Sequence, residues 1–373
     1  MGTPAEDLAA IRSAVGITED AAVTIEFATN SIAGAVLAMH EATTAIELSA
    51  GSLAAYIASL AVKKYRNPVL QPYDAKNPFN LGFCSGVLFE EPTAIMTKAL
   101  LAGNPQINRE RWSFTVSVSD NNDPINTLTH QQYAVPPASG TGLIYATYQL
   151  RVDAALTATA GTDRPVAIIQ PDGKTVYEAY KYQRQNATHI SSTSVKINDI
   201  TGLGMTNGAR ASNTSILLGL IRTHEVAAKL IPHALAVGIP NSMLKLGYVY
   251  PARGQDRQIA PTDTTAGNIY AGPIPMGTML GIPLDIDLTA LGLSPEGLAM
   301  GRALQGYGAF VIDQSSTVAA YVEPNADLAA VARMRLDYQT KLFPLLRVVR
   351  NSSATSVNGG GTPLHPLALP FTP

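Results

Sequence analysis

Val166-Ala167-Ile168-Ile169-Gln170-Pro171-Asp172-Gly173-Lys174-Thr175-Val176-Tyr177-Glu178-Ala179-Tyr180-Lys181-Tyr182 carries the strongest β signal in the chain. A short apolar run meets a Pro-Asp-Gly-Lys turn and is followed by β-branched and aromatic residues in alternation, which predicts a β-hairpin. On its second strand Val176, Glu178, Tyr180 and Tyr182 should point one way, and Tyr177 and Ala179 the other. The pattern extends outward in both directions. Trp112, Phe114, Val116 and Val118 share one face of an expected strand, and Leu143–Val152 is another. Short strands between Gly/Pro turns predict a mainly β fold, a β-sandwich or jelly-roll-like domain over residues 79–356.

A few helices interrupt the strands. Ser294-Pro295-Glu296 offers an N-cap, a proline at the first helical position and an early acid, and predicts a helix up to Gly306. Further helices are expected from Asn325 to Arg335 and from Asp337 to Phe343, with a strand from Ala309 to Ile312 ending at Asp313. Residues 357–373, rich in Gly and Pro, should run as an extended strap.

The N-terminal region reads differently. Ile25, Thr29, Ile32, Val36, Met39, Thr43, Ile46, Ala50, Leu53, Ile57 and Leu60 recur at steps of four and three, the seam of a supercoiled helix. Thr29, Val36, Thr43, Ala50 and Ile57 take position a; the others take d. β-Branched residues at both positions favour three or four strands, so Ile32, Val36, Met39, Ile46, Leu53, Ile57 and Leu60 are the expected oligomerisation residues of a homotrimer. The rod would be roughly 50 Å long. Flanking positions are mostly alanine (Ala33, Ala35, Ala42, Ala54, Ala61), where an exposed coil usually carries charge. The plainer reading of the seam is an amphipathic helix pair folded onto a core. Gly34 and Gly51 each weaken the helix by about 1 kcal/mol, and Asn30 is a suitable N-cap. Residues 1–66 are therefore read as anchor and coiled-coil stalk, and residues 67–78, with Pro68, Pro72 and Pro78, as a hinge. Leu8, Ile11 and Val15 fall on one helical face, which suits residues 1–24 to docking on another protein.

Composition narrows the function classes. The 373 residues carry 26 Lys+Arg against 28 Asp+Glu, net −2, with 14 % charged. No basic run marks a nucleic-acid footprint. Cys84 is the single cysteine, so no intrachain disulfide forms. No segment reads as a signal peptide or a bilayer span. No Gly-x-Gly-x-x-Gly, P-loop or His-Glu-x-x-His is present, His224-Glu225 with His233 lacks a helical metal spacing, and Gly140-Thr141-Gly142 reads as a turn. No cofactor or metal is expected.

Several segments carry a resemblance: Pro171-Asp172-Gly173 with Val176-Tyr177-Glu178, Gly219-Leu220-Ile221-Arg222 with Glu225-Val226, Ile231-Pro232-His233-Ala234-Leu235, Tyr250-Pro251-Ala252, Pro275-Met276-Gly277, and Ala303-Leu304-Gln305 with Tyr307–Asp313. In order and spacing, residues from about Asn77 to Pro370 resemble a family of mostly secreted bacterial β-rich proteins of unassigned activity, also found in phage tail fibre and spike proteins. Asp7–Gly16 is similar to tail-fibre linkers. The resemblance implies one polar cluster of Glu178, Arg222, Glu225, His233 and Asp313. Glu178, His233 and Glu225 would be its catalytic acid/base candidates, and Arg222 and Asp313 its binding candidates. Arg222 and Glu225 are also an i, i+3 pair, which is often a structural brace. The family's Asp-Arg-His or Asp-Gly-His before the hairpin is here Asp163-Arg164-Pro165, and proline transfers no proton.

These readings lead to a structural virion protein: a trimeric phage tail fibre or spike, made in a host cytoplasm, with a β-sandwich that meets a host surface glycan and with residues 1–24 on other tail proteins. The alternative is a polysaccharide-degrading lyase or hydrolase using the His/carboxylate cluster. A third is a host appendage or filament subunit.

Overall fold

A computed structural model describes residues 65–133, 143–256 and 270–371. The seam of residues 25–60, the face formed by Leu8, Ile11 and Val15, and the turn at Gly140-Thr141-Gly142 lie outside the described residues. The body is mainly β, with several sheets and few short helices.

The hairpin forms as read. Strands β5 (Val166–Ile169) and β6 (Thr175–Tyr180) pair antiparallel, with Val166 opposite Ala179 and Ile169 opposite Val176. Asp172 closes the turn, its Oδ1 accepting the N–H of Lys174 and of Thr175, both at 2.8 Å, and Gly173 sits at φ +66°. All four β5 residues are buried. Ala167 and Ile169 enter one core and Val166 and Ile168 another. A strand covered on both faces needs apolar residues at every position, hence a run rather than an alternation.

The hairpin is the centre of a four-stranded sheet, β2-β5-β6-β9, completed by β2 (Thr115–Val118) and β9 (Ser194–Asp199). One face packs through Val166, Ile168 and Ala179 on Leu128, Leu150 and Ile190. These belong to a second sheet, built from β4 (Leu143–Arg151), β3 (Ile125–Tyr133), β8 (His189–Ser192) and β7 (Gln183–Asn186). The other face packs on Ala236, Phe310, Ile312 and Tyr321. Those residues lie in a six-stranded sheet ordered β1 (Pro105–Asn108), β15 (Val318–Tyr321), β10 (Leu235–Ile239), β14 (Ala309–Gln314), β13 (Met279–Gly281), β16 (Arg347–Val348). Its far side, through Leu235, Val237, Val311 and Val318, meets Met300 and Leu304 of helix α3 (Pro295–Gly306) and Val331 and Met334 of helix α4 (Leu328–Asp337). Helices α1 (Ile95–Leu101) and α2 (Thr223–Ala228) and the pair β11 (Leu244–Tyr248) with β12 (Ile274–Met276) complete the body.

The structure departs from a jelly roll. β1 with β15, β10 with β14, β2 with β5 and β3 with β8 run parallel. Parallel neighbours need long crossovers, and the one from Ile239 to Ala309 carries α3. That helix starts as its sequence predicts, with Ser294 Oγ accepting the N–H of Gly297 at 3.0 Å. Helix α4 starts later than Asn325 because Asp327 is its cap, accepting from Ala330 N–H at 2.8 Å. The expected helix from Asp337 is a π turn, Tyr338–Leu342, then a 3-10 turn through Pro344.

At three places the chain departs from its local sequence pattern. Residues 67–78 are no hinge: Tyr73 is fully buried and its hydroxyl donates to Ser215 Oγ at 2.5 Å. Tyr182 joins Ala179 in the core rather than Glu178, because Lys181 at φ +58° breaks the alternation. Trp112 lies before β2 at φ +52° and is 43 % exposed, while Thr115 and Ser117 supply the buried face. The C-terminal strap is tied down by Asn358, whose Nδ2 donates to Pro78 O at 2.8 Å, and by bridges Cys84–Pro363 and Arg66–Phe371. Among the described residues no helix is long and apolar enough to cross a membrane.

Candidate functional site

The five residues expected in one polar cluster occupy two places. Arg222, Glu225 and His233 come together at the start of α2. Glu225, at the third helical position, accepts the backbone N–H of Arg222 at 2.8 Å and closes the helix N-terminus. His233 Nε2 lies 3.0 Å from Glu225 Oε1. A fourth member, Glu323, takes Arg222 Nε at 2.7 Å and the Thr223 N–H at 2.6 Å. All four are buried. Arg222 and His233 line a cavity of about 10 Å³, room for about one water and none for a sugar ring.

Glu178 and Asp313 lie elsewhere, both within the field of Arg210. Glu178 is wholly buried. Its Oε2 accepts the N–H groups of Ala209 at 2.9 Å and Ile216 at 3.1 Å, and its Oε1 accepts from Asn198 Nδ2 at 3.1 Å. Burial nevertheless pushes its pKa above the ordinary carboxylate value, against these donors. Glu178 thus pins both ends of the loop 209–216 that carries Arg210. The same loop needs Gly208, where a Cβ would come within 1.8 Å of the Thr214 carbonyl carbon.

Arg210 borders a cleft of about 1000 Å³. Its guanidinium lies 4.1 Å from the Phe114 ring centroid and 4.8 Å from that of Tyr321, and Nη2 donates to Ile216 O at 3.1 Å. Nε and Nη1 are buried and have no hydrogen-bond partner among the described residues. Three carboxylates face the same space. Asp163, before β5, accepts from Tyr180 Oη at 3.0 Å. Asp256 accepts from Tyr270 Oη at 3.4 Å. Asp313 sits near the end of β14, where the pairing with β10 slips by one residue after Val237; such a bulge re-aims the side chain beside it. Burial first, then the charge of Asp256, pushes the Asp313 pKa up to about 7, with Arg210 pulling it down. Burial and the charge of Asp163 raise Asp256 as well. Burial holds Tyr180, Tyr270 and Tyr321 neutral, well above the usual phenol range. Trp112 and Lys196 complete the rim, and Pro165 lines the wall.

Of the cleft residues, the sequence singled out Asp313 as a site. In the sequence Trp112 patterns as a strand residue, and Asp163 belongs to the triplet ending in Pro165. Arg210 and Asp256 carried no motif, although a lone arginine in the small-residue run Gly208-Ala209-Arg210-Ala211-Ser212 signals a partnered cation. Glu323 directly follows the buried apolar run Val318–Val322, a position where an acid needs a partner. No family model, curated protein or solved structure matches the chain.

Proposed function

We propose that this chain is a trimeric tail fibre or spike protein of a virion, and that its body holds a host surface saccharide in the cleft around Trp112, Asp163, Arg210, Asp256, Asp313 and Tyr321. The observation that carries the reading is the composition of that cleft. Carboxylates, hydroxyls and amides converge with aromatic faces around about 1000 Å³, the size of a small-molecule site. A saccharide presents hydroxyls that need both donors and acceptors, and ring faces that cover aromatic carbon. The heptad seam of residues 25–60 supports three copies per assembly; three clefts on one stalk multiply a weak sugar contact by avidity. Residues 1–24 attach the assembly to neighbouring tail proteins. The layered sheets supply a rigid sandwich-like mount for the cleft.

In this reading Arg222, Glu225, His233 and Glu323 brace α2 against the six-stranded sheet and do not meet substrate. Pro165 fits the same reading: it stands in the cleft wall where the resembling sequences carry histidine.

The test has two parts. Light scattering on the whole chain should give three times the 39.3 kDa chain mass; a monomer at micromolar concentration contradicts the trimer. A panel of bacterial surface polysaccharides should contain binders that Trp112→Ala weakens about tenfold, near 1.4 kcal/mol, with an unchanged melting temperature. Binding indifferent to Trp112→Ala contradicts the cleft.

A further inference from the structure

We propose that the cleft also hydrolyses the saccharide it holds, Asp313 giving a proton to the glycosidic oxygen and Asp256 taking one from water; this rests on the saccharide reading of the same cleft.

Four observations converge. The β14 irregularity places Asp313 at the cleft instead of continuing the strand's alternation. Asp256 shares the space and acts on Asp313 through its charge. Two carboxylates that feel each other while partly desolvated share a proton, so that one is an acid and the other a base at the same pH. Arg210, only 3 % exposed, brings to this border two N–H positions unpartnered among the described residues, which can donate to a saccharide oxygen, while its charge offsets part of the rise that burial and Asp256 impose on Asp313. The hydroxyl of Tyr270 orients Asp256.

The step balances with water as the second reactant. The bond from the anomeric carbon to the bridging oxygen breaks, its electron pair stays on that oxygen, and the Asp313 proton neutralises it. Water adds to the anomeric carbon and loses a proton to Asp256. Proton exchange with solvent resets the pair. The products are a new reducing end and a free hydroxyl; nothing is oxidised or reduced.

The groups facing Asp313 are Asp163, Asp256, Arg210, Tyr180, Tyr270 and Tyr321. The tyrosines remain neutral and the arginine charged, so the carboxylates set the pH response. Turnover should fall as pH rises past about 7, the value of Asp313.

The experiment incubates the whole chain with a panel of purified bacterial surface polysaccharides and reads binding and new reducing ends separately. Wild type should bind and release reducing ends. At polysaccharide concentrations that saturate each variant, Asp313→Asn and Asp256→Asn should release at least about 100-fold fewer ends than wild type, with melting temperatures near wild type. Wild-type binding without release overturns the hydrolysis and leaves the saccharide reading standing. An Asp313→Asn variant that retains its rate overturns the assignment of the acid. Failure to bind any polysaccharide overturns both readings.

Discussion

His233 donates from both ring nitrogens: Nε2 faces Glu225 Oε1 at 3.0 Å, and Nδ1 faces the carbonyl of Ala234 at 2.9 Å. A neutral imidazole has one N–H, so two acceptors select the imidazolium. Burial alone would lower the His233 pKa, but the charge and hydrogen bond of Glu225 outweigh it and raise the pKa above 6.5. The pair is a buried ion pair at the mouth of α2.

Removing one partner leaves a buried charge. His233→Ala should therefore cost about 3–5 kcal/mol of unfolding free energy, read from urea denaturation. The pH dependence has a definite sign. The folded histidine holds its proton more tightly than the unfolded one, so its contribution is complete below pH 6.5 and is lost as pH rises through the raised folded value. Wild-type stability should fall more than that of Glu225→Gln from about pH 6 to about pH 9. Equal slopes, or a His233→Ala variant as stable as wild type, would contradict the brace.

Glu178 offers a second test. Its two oxygens accept from Ala209, Ile216 and Asn198. Glu178→Gln places an amide N–H₂ against at least one of these donors, at a cost of about 1–3 kcal/mol. Glu178→Ala should cost more and loosen the loop, so amide exchange at Ala209 and Ile216 should quicken first. Unchanged protection there would show that Glu178 does not hold the loop.

The sequence was most legible where local chemistry sufficed. Asp172 and Gly173 specify their turn, and Ser294-Pro295 start α3 at the expected residue. Burial on both faces of β5 is written in Val166-Ala167-Ile168-Ile169. The misreadings are long-range. Lys181 takes a positive φ while donating its N–H to the Asp163 carbonyl at 2.7 Å, a partner 18 residues away that no periodicity encodes. The candidate site divided for the same reason. Glu225 is three residues from Arg222, but Glu323 is 101 away, and Asp256 reaches the cleft of Asp313 from a separate segment.

Gly161 lies against the cleft rim. At φ +117°, its added Cβ would stand 2.8 Å from Trp112 Cδ1 and Nε1, so a side chain there must displace the indole. Gly161→Ala should reproduce the saccharide-binding loss of Trp112→Ala, about tenfold, without touching the ring itself. Full affinity in Gly161→Ala, measured by calorimetry, would mean that the indole position is irrelevant to the ligand.

Trp112 is the single tryptophan of the chain and lies on the cleft. Its emission therefore reports on this site alone. The most direct measurement is a fluorescence titration of the whole chain with each polysaccharide that it retains in a pull-down. A saturable change in emission is expected, and Arg210→Lys, which removes the planar stack on Phe114 and Tyr321, should shift it to higher concentration. Retained polysaccharides that leave the emission unchanged at saturation would place the ligand elsewhere and contradict the cleft as the binding site.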